Sequence, residues 1–375
     1  METPLSNRRI GLRHLKVRAP AILWLAVALA VLSPAIALGT SEQRPSLGAL
    51  FTLVGDFPLG AATSRTDYQS IDAQARRLYI AKMGEGKLLV YDLAQGRVLR
   101  EIAGLPKVTG VLVVPSLHRV YASAPGSGIA ASIRVGLGML GLSSGKGAVA
   151  IFDSETLNEV GRISGGVFPD GIAYDPLAQR IFVSDELGSA VLVIDARGSR
   201  LLARIEMPGE VGNVQYDLRT AKVFAPVQTR NTLAMIDPAK NALVAQIPLA
   251  GCDHPHGLAI APGVAIGYVA CDGNDVLIVV DLEARRIIGS QPIAHDPDVL
   301  TVDPDLRRLY VASESGNMST FDITNAALPV ALGNVFVGDD AHAVAVDPSS
   351  HRLYFALANV DGRAVLRVLA PRASH

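Results

Sequence analysis

The chain has 375 residues, 18 % charged and 5 % aromatic, with a formal net charge of −1. That balance excludes a disordered chain and offers no basic excess of the kind that draws nucleic acid. The 35 Gly and 22 Pro favour many short strands joined by turns.

At the N-terminus Arg8, Arg9, Arg13, Lys16 and Arg18 precede an uncharged apolar run from Ala19 to Leu38. Ala35-Ile36-Ala37 supplies a small-x-small cleavage site, so residues 1–37 read as an export signal cut after Ala37. An uncleaved inner-membrane anchor over residues 19–38 is the alternative. Cleavage removes five positive charges and one negative, taking the net charge to −5, and removes Trp24, the only Trp. An acidic chain without Trp is a poor nucleic-acid partner. A periplasmic or secreted monomer is expected, touching a membrane only through an uncleaved N-terminus.

Residues 38–375 read as one domain because they repeat. Each unit is an apolar strand ending in Asp-Pro or similar, a turn, an Arg-Leu-Tyr-Val-Ala strand, a polar turn, an apolar strand ending in Asp, and a last strand. The second-strand aromatic falls at Tyr79, Tyr121, Phe182, Phe224, Tyr268, Tyr310 and Tyr354, with gaps of 42, 61, 42, 44, 42 and 44 residues. The third strand ends at Asp92, Asp153, Asp195, Asp237, Asp281 and Asp322, with the same period and the same long gap. Seven four-stranded blades follow, an all-β propeller. The seventh copy stops after its third strand, Ala364 to Ala370, so Leu50-Phe51-Thr52-Leu53-Val54 is expected to complete it and close the ring.

The long gap places about 19 extra residues in blade two, as an inserted loop over 124–147. Gly at both ends and an apolar middle suit a lid or a partner-docking element. No Gly-Lys-Ser/Thr follows, which rejects a phosphate loop.

Cys252 and Cys271 are the only cysteines. An even pair in an exported chain predicts a disulfide over a metal pair. Cys252 precedes the inner strand of blade five and Cys271 ends the adjacent second strand, within bridging reach.

Repeats such as Val302-Asp303-Pro304 with Arg308-Leu309-Tyr310-Val311-Ala312, and Ala345-Val346-Asp347-Pro348 with Arg352-Leu353-Tyr354, resemble YVTN-type (YncE-like) β-propeller repeats of exported bacterial proteins. The stretch Gly251-Cys252-Asp253, Pro255, Gly257-Leu258-Ala259 and Ala270-Cys271 resembles a recurring variant among them. The resemblance covers the mature chain and implies architecture; it implies no activity.

In a propeller the residue just before each inner strand points into the mouth of the central channel. Those positions are Asp67, Thr109, Asp170, Gly212, His256, Asp298 and His342. The turns after the second strands lie on the same rim and add Lys82, Glu85, Asp185, Glu186, Arg230, Asp272, Asn274, Glu314 and Asn317. Convergent polar groups in a concavity are the default site. The leading reading is a ligand-binding or protein-interaction scaffold using the mouth and the inserted loop for a small molecule or protein partner. The alternative is a metal-dependent lyase or hydrolase, with a divalent ion on His256, His342 and Asp298. A dehydrogenase-associated subunit ranks third, because no Cys-x-x-Cys-His haem site is present. His254 reads as an exposed turn residue between Asp253 and Pro255.

Overall fold

A computed structural model describes residues 47–126 and 147–372. Its second strands carry the signature that sets the architecture. Arg77–Lys82, Arg119–Ala124, Arg180–Asp185, Lys222–Val227 and Arg308–Ser313 are buried on both faces after their first residue. Outer strands such as Arg97–Ile102 stay largely exposed. A strand covered on both faces needs a continuous apolar run, and an outer strand does not. The described residues accordingly form seven four-stranded antiparallel sheets, and these stand in a ring as the blades of a β-propeller.

The repeated residues latch each blade to the next. Tyr79 donates its hydroxyl to the Ser154 carbonyl at 3.4 Å, Tyr121 to Ala196 at 2.7 Å and Tyr268 to Ala326 at 2.8 Å, in each case a turn of the following blade. Arg77 and Arg180 donate to the carbonyls of Ser154 and Pro238 in the same way. Phe182 and Phe224 are fully buried aromatics at the equivalent positions of blades three and four. The strand-end Asp residues are turn formers: Asp92, Asp153 and Asp195 each accept two backbone N–H bonds from the residues two and three further on. That is the ordinary Asx-turn role.

Closure is as expected in kind and longer in extent. Leu47–Leu50 is a helical turn, and the closing strand runs Phe51–Ala61 in place of the expected Leu50–Val54. It pairs antiparallel with Arg363–Pro371, from Phe51 opposite Pro371 to Ala61 opposite Arg363. Register shifts at Leu53/Gly55 and Pro58/Gly60 carry the strand past Pro58. Gly60, at φ 110°, supplies a backbone conformation that a residue with a Cβ rarely adopts. Pro58 is tolerated because this is the outermost strand of its blade. Arg367 pins the closure through Asp56, with Nε to Oδ1 at 2.8 Å.

The expected export signal over 1–37, its anchor alternative and residues 127–146 of the inserted loop lie outside the described residues. Among the described residues, no helix is long and apolar enough to cross a membrane.

Candidate functional site at the channel mouth

Inner strands of neighbouring blades come into close contact at the channel mouth. A Cβ on Gly110 would stand 2.0 Å from the Asp170 carbonyl oxygen, and one on Gly257 2.1 Å from that of Asp298. The glycines therefore let the mouth residues of adjacent blades crowd together. Gly212 has the same use, with a Cβ position 2.4 Å from the His256 carbonyl oxygen. It adds packing and no side chain.

The mouth is a concavity of about 410 Å³. Asp67, Thr109, Asp170, His256 and Asp298 line it, as expected. His342 is 1 % exposed and is not among the lining residues. Among the rim candidates Glu186, Asp272 and Glu314 reach the cavity. The others are absorbed by structure. Lys82 and Glu85 belong to an ion-pair network with Lys87 and Glu101. Asp185 is buried, accepts from the backbone N–H of Val167 and Phe168, and pairs with Arg204 at 2.6 Å. It thereby sets the loop that leads into Asp170. Asn274 bonds Gly251 and Asp253, Arg230 bonds the Pro208 carbonyl, and Asn317 bonds Ser315.

Arg65, Tyr68, Met83, Phe168, Gln228, Asp296 and Pro297 also line the cavity and were not among the expected residues. Arg65, Tyr68, Phe168, Asp296 and Pro297 flank the expected ring positions by one or two residues, which is the only sequence signal they carry. His254 does sit in a turn, at φ 51°, yet it also lines the cavity, with Nδ1 2.6 Å from Asp272 Oδ1.

The cations of the mouth are all committed. His256 Nε2 lies 3.2 Å from Asp298 Oδ1, although that oxygen has no well-aligned hydrogen bond. Arg65 reaches Glu314 at 2.7 Å and stands 3.9 Å from both Asp298 and Asp340. His342 turns Nδ1 to Asp340 Oδ1 at 2.9 Å, and its buried Nε2 has no partner. Burial works to lower the His256 pKa, but Asp298, then Glu186 and Asp170, raise it to about 10. Burial likewise opposes His342, which Asp340, Asp298 and Asp67 raise to about 9. Asp298 is held below its usual value; burial pushes it up, and His256, His342 and Arg65 outweigh that.

Across the mouth the carboxylates form no ion pair with the described residues. Asp67 is 6 % exposed and accepts one bond, from the Tyr68 N–H at 2.9 Å. Burial raises its pKa to about 6; Asp298 adds to this, while His342 and Arg65 oppose it. Asp170 is 5 % exposed, and its carboxylate accepts no hydrogen bond from the described residues. Burial, then Glu186 and Asp67, hold it well above the usual carboxylate range. Among the described residues the Glu186 carboxylate accepts from Gln228 Nε2 at 3.1 Å. Thr109, between them, spends its hydroxyl on the Pro169 carbonyl at 3.0 Å.

Tyr68 lines this cavity and also a second one of about 330 Å³ enclosed by the inner strands, so its ring stands between mouth and channel. The strands that flank the insertion end at Ala124 and begin at Ala148, on the rim that supplies Glu186, Asp272 and Glu314. Cys252 and Cys271 form the expected disulfide, with Cα atoms 5.5 Å apart. Among the described residues no group of three or more His, Cys, Asp or Glu is arranged to hold a metal ion. His256, His342 and Asp298 are engaged as described above and do not make one.

No protein-family model and no curated protein matches the sequence. A solved chain of Kuenenia stuttgartiensis hydrazine synthase is similar in structure, with a TM-score of 0.67 and 15 % identity. The match covers 81 % of this chain and 96 % of that one. The likeness is one of fold alone: a seven-bladed β-propeller.

Proposed function

We propose that this protein is an exported binding propeller of the YVTN type that takes a small polar ligand at its channel mouth. The observation that carries the reading is the mouth itself. A concavity of about 410 Å³ gathers side chains from six blades, inside the roughly 300–1,000 Å³ range of small-molecule sites. Among the described residues it leaves Asp298 Oδ1 without a well-aligned hydrogen bond and the Asp170 carboxylate with none, and buried polar groups are ordinarily satisfied. The tandem repeats support the family, and the disulfide supports an oxidising compartment.

The test is a thermal-shift screen of neutral, cationic and anionic small solutes against the wild type and Met83→Trp, which fills the cavity from a rim turn. Solutes that raise the wild-type Tm are expected to leave the variant unmoved. Equal shifts in both proteins, or no shift with any solute, would overturn the reading.

A further inference from the structure

Among the described residues the mouth has fewer positive charges than its carboxylates need, and the buried carboxylates left unpaired lie on one side. Arg65, His254 and His256 are matched to Glu314, Asp272 and Asp298. Asp67, Asp170, Glu186 and the exposed Asp296 are left with no ion pair from the described residues. A buried carboxylate without a counter-ion is costly unless a proton or another cation joins it. Asp170 is decisive, because it is 5 % exposed, lines the cavity and has no side-chain partner among the described residues.

Two features say what kind of cation would fit. The described residues offer no set of three arranged ligands for a metal ion, and the cavity is far larger than one ion requires. Its wall beside the acids is organic in character: Tyr68, Met83 and Phe168 line it. Aromatic faces and carboxylates together suit an alkylammonium group, which brings N–H donors for the acids and methylenes for the apolar wall.

Resting on the binding reading above, we infer that the ligand is a small organic amine in its ammonium form, seated on Asp170 with Asp67 and Glu186, and stopped from entering the channel by Tyr68. The ammonium supplies the charge that protons supply in its absence. Binding then releases protons and tightens as pH rises. Asp67 is faced by His342, Asp298 and Arg65, and Asp170 by Glu186, Asp67, His256 and Asp298, so the net response belongs to this whole group.

The experiment is calorimetric titration of the full mature chain with four probes of similar length: butylammonium, 1,4-diaminobutane, 1,4-butanediol and succinate. Both amines are expected to bind at least tenfold more tightly than the diol, with proton release measured in buffers of different ionisation enthalpy. Asp170→Asn should weaken amine binding at least tenfold, and Glu283→Gln on the opposite face should not change it. Tight diol or succinate binding that Asp170→Asn alters would sink the amine inference and leave the binding reading standing. Amine binding that Asp170→Asn leaves unchanged would place the amine elsewhere and overturn the inference. No binding by any probe overturns the inference too; the binding reading then falls only if the solute screen is also blank.

Discussion

The two sides of the channel mouth are built from the same repeat and carry opposite electrostatics. On the side of blades five to seven, His256, Asp298, His342 and Asp340 are joined by short charge contacts, and Arg65 crosses from blade one to complete them. On the side of blades one to three, Asp67, Asp170 and Glu186 form no ion pair among the described residues, although His342 and Arg65 act on Asp67 and His256 on Asp170 from further away. The backbone positions are equivalent, so the difference lies in side chains alone. A propeller can therefore pair the charges on one half of its mouth while leaving the acids of the other half without ion pairs among the described residues.

Breaking the paired side should have the largest effect. His256→Ala leaves Asp298 buried, with Arg65 3.9 Å away as its nearest ion-pair partner, and is expected to cost about 3–5 kcal/mol in urea unfolding. A loss below about 1 kcal/mol would mean that pairing does not hold this side. The disulfide belongs to the same side. Cys252→Ala/Cys271→Ala opens a crosslink between residues 19 apart and should cost about 3 kcal/mol, read from the same unfolding curves under non-reducing conditions.

On the unpaired side the sign changes. Asp67 has a folded pKa of about 6 against 3.8 unperturbed, so the folded state holds its proton more tightly. Its favourable contribution is present below the unfolded value and lost as pH rises through about 6. Asp67→Asn lacks that loss. Its stability relative to wild type should rise by about 2–3 kcal/mol between pH 4 and pH 7, a trend opposite to that of an ordinary paired carboxylate. Asp170→Asn removes an acid that burial likewise holds above its usual range, so its ligand-free stability relative to wild type should also rise from pH 4 to pH 7. A large destabilisation would show that Asp170 is holding the fold.

The comparison also shows what a single sequence makes legible. Tyr79 through Tyr354 mark the blades because each second strand must fill the same fully buried slot. The ring position before each inner strand follows from that register, and it finds Asp67, Asp170, His256 and Asp298. Pairing does not follow. Arg65 meets Glu314 across 249 residues of chain, a contact that exists only once the ring has closed. Rim turns differ in length and hydrogen bonding from blade to blade. Asp185 is drawn under the Val167–Phe168 loop while its neighbour Glu186 reaches the cavity, and no spacing rule separates those two acids. The closing strand runs past the expected Val54 for a similar local reason, since register shifts at Leu53/Gly55 and Pro58/Gly60 carry it onward.

The most direct measurement is a crystal structure of the mature chain grown with 1,4-diaminobutane at a saturating concentration. The account predicts an ammonium nitrogen within about 3 Å of the Asp170 carboxylate and of Asp67 or Glu186, with the methylenes along Tyr68 and Phe168. A diamine bound at another surface, with only water against Asp170, would contradict it.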